Sequence, residues 1–376
     1  MHIAMELREL KAKLRSTTSI QDRISLLDAC AEKLSEAARF SEAAGCYAQA
    51  FQLAKPANVR AYFAGKIGIC RYNAGTDKEA LQHLLKAARL FDPGKPEFMP
   101  DMYGIVHFYL GSLLEYHGKI AKSLAARHIC EKYVETQEKD TQWMLYAGIS
   151  RNYEMLGQHD EAIRYSQKAI QVLSDNDPGL AYLYESMGNN YMGLKQYHEA
   201  IKYFSKVLEL DPAFERREDI HLKVAGCYQR LTNDQMALET YEKMLELKHL
   251  TGKRENLIWL YIKIAQCQFR LERFEKSLLT TLEALRRRPR NRLEKAEVRS
   301  FLTDNYYELG RYQEAVAEGE KTLKIAKKFP SDNLFYFRMA LSYFKLGDKR
   351  AFARYRSLCR KRFRDDSWIA FLDKLT

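Results

Sequence analysis

Little in this chain is suited to catalysis. Its nine histidines are scattered and form no HExxH pair, so the spacing that brings two imidazoles onto one metal from a single helix face is missing. There is no GxSxG, and no His or Asp is placed by sequence around a cysteine nucleophile. Gly65-Lys66 and Gly118-Lys119 share two residues with a phosphate-binding loop, but both lack the upstream glycine and the following Ser or Thr. The expectation is a protein that is not an enzyme and uses no metal or cofactor.

Membrane and export signals are equally scarce. No apolar run reaches the roughly 18 residues of a membrane-crossing helix, so no transmembrane segment is expected. The opening residues, MHIAMELRELKAKLRSTTS, lack the unbroken apolar core and small-residue cleavage site of a secretory signal, and Glu6 and Glu9 do not suit a mitochondrial presequence. Ile3, Leu7, Leu10 and Leu14 recur instead at helical spacing, which predicts a capping helix over residues 1–19. The seven cysteines are odd in number and form no CxxC pair. Cys70, Cys227 and Cys267 follow a small residue of one helix by two places, while Cys130 and Cys359 take small-residue places late in another, so all five read as small buried hydrophobes. Free, buried thiols suit a reducing compartment, and a cytoplasmic location is expected.

What the chain does have is a repeat. In the stretch Leu180 to Phe214, LAYLYESMGNNYMGLKQYHEAIKYFSKVLELDPAF, residues Tyr184, Met187, Gly188 and Tyr191 mark one helix, Ala200, Phe204 and Val207 the next, and Pro212 closes the unit. Small residues at Gly188 and Ala200 let two antiparallel helices approach closely. The small residue five places after the turn recurs as Ala43, Ala80, Ser123, Ala162, Ala200, Ala237, Ser277 and Ala315, with Phe352 in a ninth unit, at spacings of 37, 43, 39, 38, 37, 40, 38 and 37 residues. The turns carry glycine at Gly75, Gly118, Gly157, Gly310 and Gly347, and in Gly193-Leu194-Lys195; units one, six and seven have Ala38, Thr232 and Glu272 there. Glycine at these places ends a helix in the left-handed conformation. The widest spacing coincides with the proline-containing stretch Phe91 to Asp101, FDPGKPEFMPD, the candidate hinge or protruding loop.

This pattern resembles the tetratricopeptide repeat, with units somewhat longer than the roughly 34 residues usual for it. The predicted fold is all-α, a right-handed solenoid superhelix of about nine helical hairpins over residues 20–364, with a second capping helix over 365–376. The resemblance implies a binding scaffold whose first helices line a concave face. Residues two, five, nine and twelve places into each first helix then face the groove. The candidate partner-binding set is Arg151, Glu154, Tyr182, Glu185, Asn189, Met192, Gln229, Trp259, Gln266 and Phe269, and unit eight adds Glu297, Ser300, Asp304 and Tyr307. Such a mixture of amides, aromatics and charges suits an extended peptide or a short helix of a partner protein.

The resemblance also excludes one option. Chaperone-docking members hold a terminal carboxylate with Lys and Asn one turn apart, whereas the fifth and ninth places here are Asp28 and Glu32, Gly65 and Ile69, Phe108 and Ser112, Ala147 and Arg151, and Glu185 and Asn189. The run Met187-Gly188-Asn189-Asn190-Tyr191 is more similar to the peptide-binding arrays of polarity adaptors, kinesin light chains and bacterial peptide-responsive regulators. An Asn after the Gly reaches the ligand backbone in those arrays, a role that carries over to Asn189 alone.

Charge is unevenly spread. The chain carries +12, and residues from 280 onward hold 23 basic against 13 acidic side chains, a net of +10. Arg286, Arg287, Arg288 and Arg290 form one cluster, and Arg354, Arg360 and Arg364 lie on the last long helix. A basic patch of this kind attracts polyanions, so nucleic acid or an acidic partner is the alternative reading, and a solubilising cap is the plain one. A sensor that rewinds around a peptide signal is a third.

Overall fold

The computed structural model describes residues 2–210, 217–251, 257–289, 291–326, 332–362 and 366–375. Pro212 and Phe214 of the repeat stretch lie outside the described residues, which form helices and their connections, with no strand among them. Helix α1 (His2–Ser16) precedes nine antiparallel pairs. Five belong to a compact unit spanning Met1–Asp211: α2 (Ile20–Glu36) with α3 (Phe40–Leu53), α4 (Ala57–Asn73) with α5 (Asp77–Leu90), α6 (Pro100–Tyr116) with α7 (Ile120–Glu131), α8 (Lys139–Met155) with α9 (His159–Val172), and α10 (Gly179–Gly193) with α11 (Tyr197–Leu210). Four belong to a second unit, Pro212–Thr376: α12 (Arg217–Arg230) with α13 (Asp234–Thr251), α14 (Leu257–Arg270) with α15 (Phe274–Arg286), α16 (Arg292–Glu308) with α17 (Tyr312–Ile325), and α18 (Asp332–Lys345) with α19 (Lys349–Arg362). Helix α20 (Asp366–Asp373) follows.

The register read from the small residues is the register of the core. Ala43, Ala80, Ser123, Ala162, Ala200, Ala237, Ser277 and Ala315 are all completely buried, and Phe352 is 5% exposed. Each of the eight small residues lies where the second helix crosses the first, and a larger side chain there would hold the two apart; the ninth pair has Phe352 at this place. The two serines add a hydrogen bond to that contact: Ser123 Oγ donates to Gly111 O at 2.7 Å and Ser277 Oγ to Ala265 O at 2.9 Å. At the α10–α11 crossing the ring of Phe204 occupies the volume a Cβ on Gly188 would need, 2.5 Å from it.

All nine turns take the left-handed conformation, including those without glycine. Ala38, Lys195, Thr232 and Glu272 have φ of 56°, 60°, 55° and 57°, beside 69° to 75° for Gly75, Gly118, Gly157, Gly310 and Gly347. In the fifth unit the left-handed residue is therefore Lys195 and not Gly193. Gly193 serves another purpose, since a Cβ there would meet the ring of His159. The helix-closing bonds form regardless of residue type, from Arg39 N to Leu34 O at 2.8 Å and from Arg273 N to Gln268 O at 2.8 Å.

The stretch Phe91 to Asp101 is tied down. Asn58 Nδ2 donates to Asp92 O at 3.0 Å and Asp92 N donates to Asn58 Oδ1 at 2.7 Å, while Phe91, Phe98, Tyr103 and Tyr133 pack edge to face within 6.1 Å. At the ends, α1 buries Leu7 and places Glu6 at 3.4 Å from Lys33. Helix α20 buries Leu372 and sets Trp368 against Phe337 at 4.9 Å. All seven cysteines are free and all but Cys46 are fully buried. Burial pushes the Cys130 thiol up to about 12 and that of Cys227 to about 11, so both remain protonated and inert. Among the described residues no helix is long and apolar enough to cross a membrane.

Candidate functional site

Each first helix buries one face, and the expected groove places can be compared with it. In α8, Leu145, Gly148, Ile149 and Asn152 are buried, while Met144 is 40% exposed and Arg151 is open. Arg151 pairs with Glu115 of the preceding unit at 3.2 Å, and Glu154 accepts from Ser186 Oγ of the following one at 3.3 Å. In α10, Tyr182 is 55% exposed and Asn189 and Met192 are half-buried. Glu185 is buried at 3% exposure, so its carboxylate belongs to the packing and not to the groove surface. Asn189 makes no side-chain hydrogen bond within the described residues.

In the second unit the expected groove places lie on α12, α14 and α16. Gln229 is engaged, accepting from Tyr241 OH at 3.4 Å with its amide 3.9 Å from Cys267 Sγ. Trp259 is 36% exposed and meets Tyr241 edge-on at 6.0 Å. Phe269 packs between Phe274 at 5.1 Å and Phe301 at 5.4 Å, and Gln266 is half-buried without a side-chain partner among the described residues. Ser300 and Asp304 are 1% and 5% exposed, so α16 turns these two groove places inward. Burial pushes the Asp304 carboxyl up to about 7, against the pull of Arg338.

A family profile described as the tetratricopeptide repeat matches residues 140–213, the two hairpins that contain Arg151 and Asn189. These two hairpins are similar to tetratricopeptide repeats. Among solved structures the chain is similar to the C-terminal part of a tetratricopeptide-repeat protein from Cytophaga hutchinsonii, with a TM-score of 0.53 and 20% identity over 69% of this chain and 95% of that one. It is also similar to the apo form of RapI, with a TM-score of 0.53 and 12% identity over 96% of this chain and 97% of that one. At these identities the likeness is one of fold, an all-α solenoid of helical hairpins. No curated protein sequence matches the chain.

One feature of these hairpins escaped the sequence reading. Arg127 of α7 is 5% exposed and spans two hairpins. Its guanidinium donates to Gly148 O at 2.8 Å, to Asn152 Oδ1 and to Glu115, which also holds Arg151. Ser123 Oγ, whose proton goes to Gly111 O, lies 3.1 Å from the same Asn152 oxygen. A signal for it was present: Arg127 stands four residues after Ser123, the place taken by Tyr47, Leu84, Phe204 and Tyr241 after their own small residues, and it faces two glycines, Gly111 and Gly148.

The basic clusters are partly neutralised. Arg286 and Arg287 share Glu283 at 3.5 Å and 3.0 Å, and Arg287 also lies over the Tyr261 ring. Arg360 pairs with Asp373 at 2.7 Å. Arg288 and Arg354 are exposed and have no ion-pair partner among the described residues. Arg290 and Arg364 lie outside the described residues.

Proposed function

We propose that this chain is a protein-interaction scaffold that binds an extended segment of a partner along the groove edge of its first helices. The observation that carries this reading is Asn189 in the first unit, at the ninth place of α10, half-buried and without a side-chain hydrogen bond among the described residues; in the second unit Gln266 holds the same place on α14. An amide offers one acceptor and two donors, the complement of a peptide bond, and one not engaged within the protein is free to pair with a ligand's backbone. Tyr182, Met192, Trp259 and Phe269 lie on the same edges and offer surface to the side chains of such a segment.

Asn189→Ala is the test. Against a peptide selected from random dodecapeptides displayed on phage, the variant is expected to lose about 1–3 kcal/mol of binding free energy while its circular dichroism and melting temperature stay unchanged. Equal affinity for wild type and variant would place the ligand away from α10.

A further inference from the structure

The groove edge of the second unit differs in charge from the residues around it. The chain is strongly basic from residue 280 onward, yet at the groove places of α12, α14 and α16 the charged residues that are not buried are Asp219 and Glu297, and none is basic. Beside Asp219 a pocket of 290 Å³ opens, lined by Leu222 of α12, Met244 of α13, and Trp259 and Leu260 of α14, with Glu218 and Lys248 at its edge. Leu222 and Trp259 remain 37% and 36% exposed. That volume is at the bottom of the range for ligand sites, about 300–1,000 Å³, and suits one side chain better than a whole small molecule.

The balance of charge at the rim selects what lies next to that side chain. Lys248, only 5% exposed, neutralises Glu218 at 2.7 Å. Lys263 lies over the Trp259 ring at 5.6 Å and is near enough to Glu297 to oppose the rise of its carboxyl caused by burial. Asp219 is exposed and has no ion-pair partner among the described residues. Its charge is the one left to the ligand.

We propose that this pocket takes one large aliphatic or aromatic side chain of a bound peptide, and that Asp219 takes a lysine or arginine within a residue or two of it. The proposal rests on the groove reading and narrows it to apolar-basic segments. A phosphate-rich or acidic ligand would meet like charge at this edge.

Random dodecapeptides displayed on phage, selected on the full chain, are expected to enrich Leu, Ile, Met, Phe or Trp beside Lys or Arg. A synthetic peptide of the enriched sequence should bind Leu222→Ser about tenfold more weakly than wild type, the scale of a lost buried anchor. Asp219→Lys should weaken it several-fold, and exchanging the basic residue of the peptide for Glu should restore binding to that variant. Replacing the apolar residue of the peptide by Ser gives the same readout on wild-type protein if Leu222→Ser melts early. Enrichment of no sequence would overturn groove binding and the pocket together. Equal binding to wild type and Leu222→Ser, or indifference to the Ser-substituted peptide, would overturn the pocket and leave groove binding standing. An acidic consensus would overturn the charge assignment.

Discussion

Replacing Gly148 with alanine probes how rigidly the buried Arg127 is held. A Cβ at this position would stand 2.6 Å from Arg127 Cζ and 2.7 Å from its Nε, well inside van der Waals contact. A long side chain usually yields at its tip, but here the tip is the bonded group, fixed to Gly148 O, Asn152 Oδ1 and Glu115. Moving it strands Asn152, which is fully buried, and Glu115, whose side chain is 14% exposed. Removing one partner of a buried pair costs about 3–5 kcal/mol. Alanine returns about 1 kcal/mol through its better helix propensity, so the expected net destabilisation is about 2–4 kcal/mol. Gly226 in α12 is the control, because a Cβ there has no neighbour within 4 Å; Gly226→Ala should stabilise by up to about 1 kcal/mol. Urea unfolding followed by circular dichroism compares the two. The double variant Gly148→Ala with Arg127→Met should lose less than the sum of its parts, since the second change removes the group that the first one displaces. Gly148→Ala as stable as Gly226→Ala would refute this account of the network.

Ala200→Leu should cost about 1–3 kcal/mol through overpacking at a fully buried crossing, whereas leucine at Lys202, whose side chain is 60% exposed, should be tolerated; matching thermal melts would show the register to be misplaced. Burial lowers His107 and His221 to about 4, so the unfolded chain binds these protons first as pH falls. Their stabilisation is complete above about pH 6.5, declines towards pH 4, and amounts to about 3 kcal/mol each as an order of magnitude. In the second unit the raised carboxyl of Asp304 acts in the opposite sense, because its folded form binds a proton the unfolded chain has released. His107→Phe and His221→Phe should each lessen the destabilisation between pH 7 and 5 by a similar amount, and an unchanged pH slope in either variant would contradict this. Arg350→Glu with Arg354→Glu on the exposed side of α19 should leave the stability within about 0.5 kcal/mol of wild type and weaken heparin binding at low salt. Wild type without salt-sensitive heparin binding would reduce the basic face to a solubilising one.

The crossings were legible because a single physical requirement, close helix approach, selects Ala or Ser at one place in every hairpin from Ala43 to Ala315. The turn of the fifth unit was not, because a glycine invites a conformational reading, and Gly193 is small to accommodate His159. Arg127 was hidden for a different reason. A basic residue in a helical pattern reads as solvated, and only its coincidence with two glycines on the facing helices reveals a buried one. The periodicity that finds the groove positions also assumes the same tilt for every first helix. Glu185, Ser300 and Asp304 depart from it, since packing closes over them.

The left-handed turns bear on the order in which the array assembles. For a residue with a Cβ that conformation is uphill by about 1 kcal/mol, so the turns at Ala38, Lys195, Thr232 and Glu272 resist forming in an isolated hairpin. The hairpins closed by Gly75, Gly118 and Gly157 follow one another without interruption and carry no such penalty. They are the natural nucleus of the first unit, as the hairpins of Gly310 and Gly347 are of the second. The turns at Ala38, Lys195, Thr232 and Glu272 are left to form by templating on a neighbour already folded, so growth from these two nuclei would spread outward along the chain.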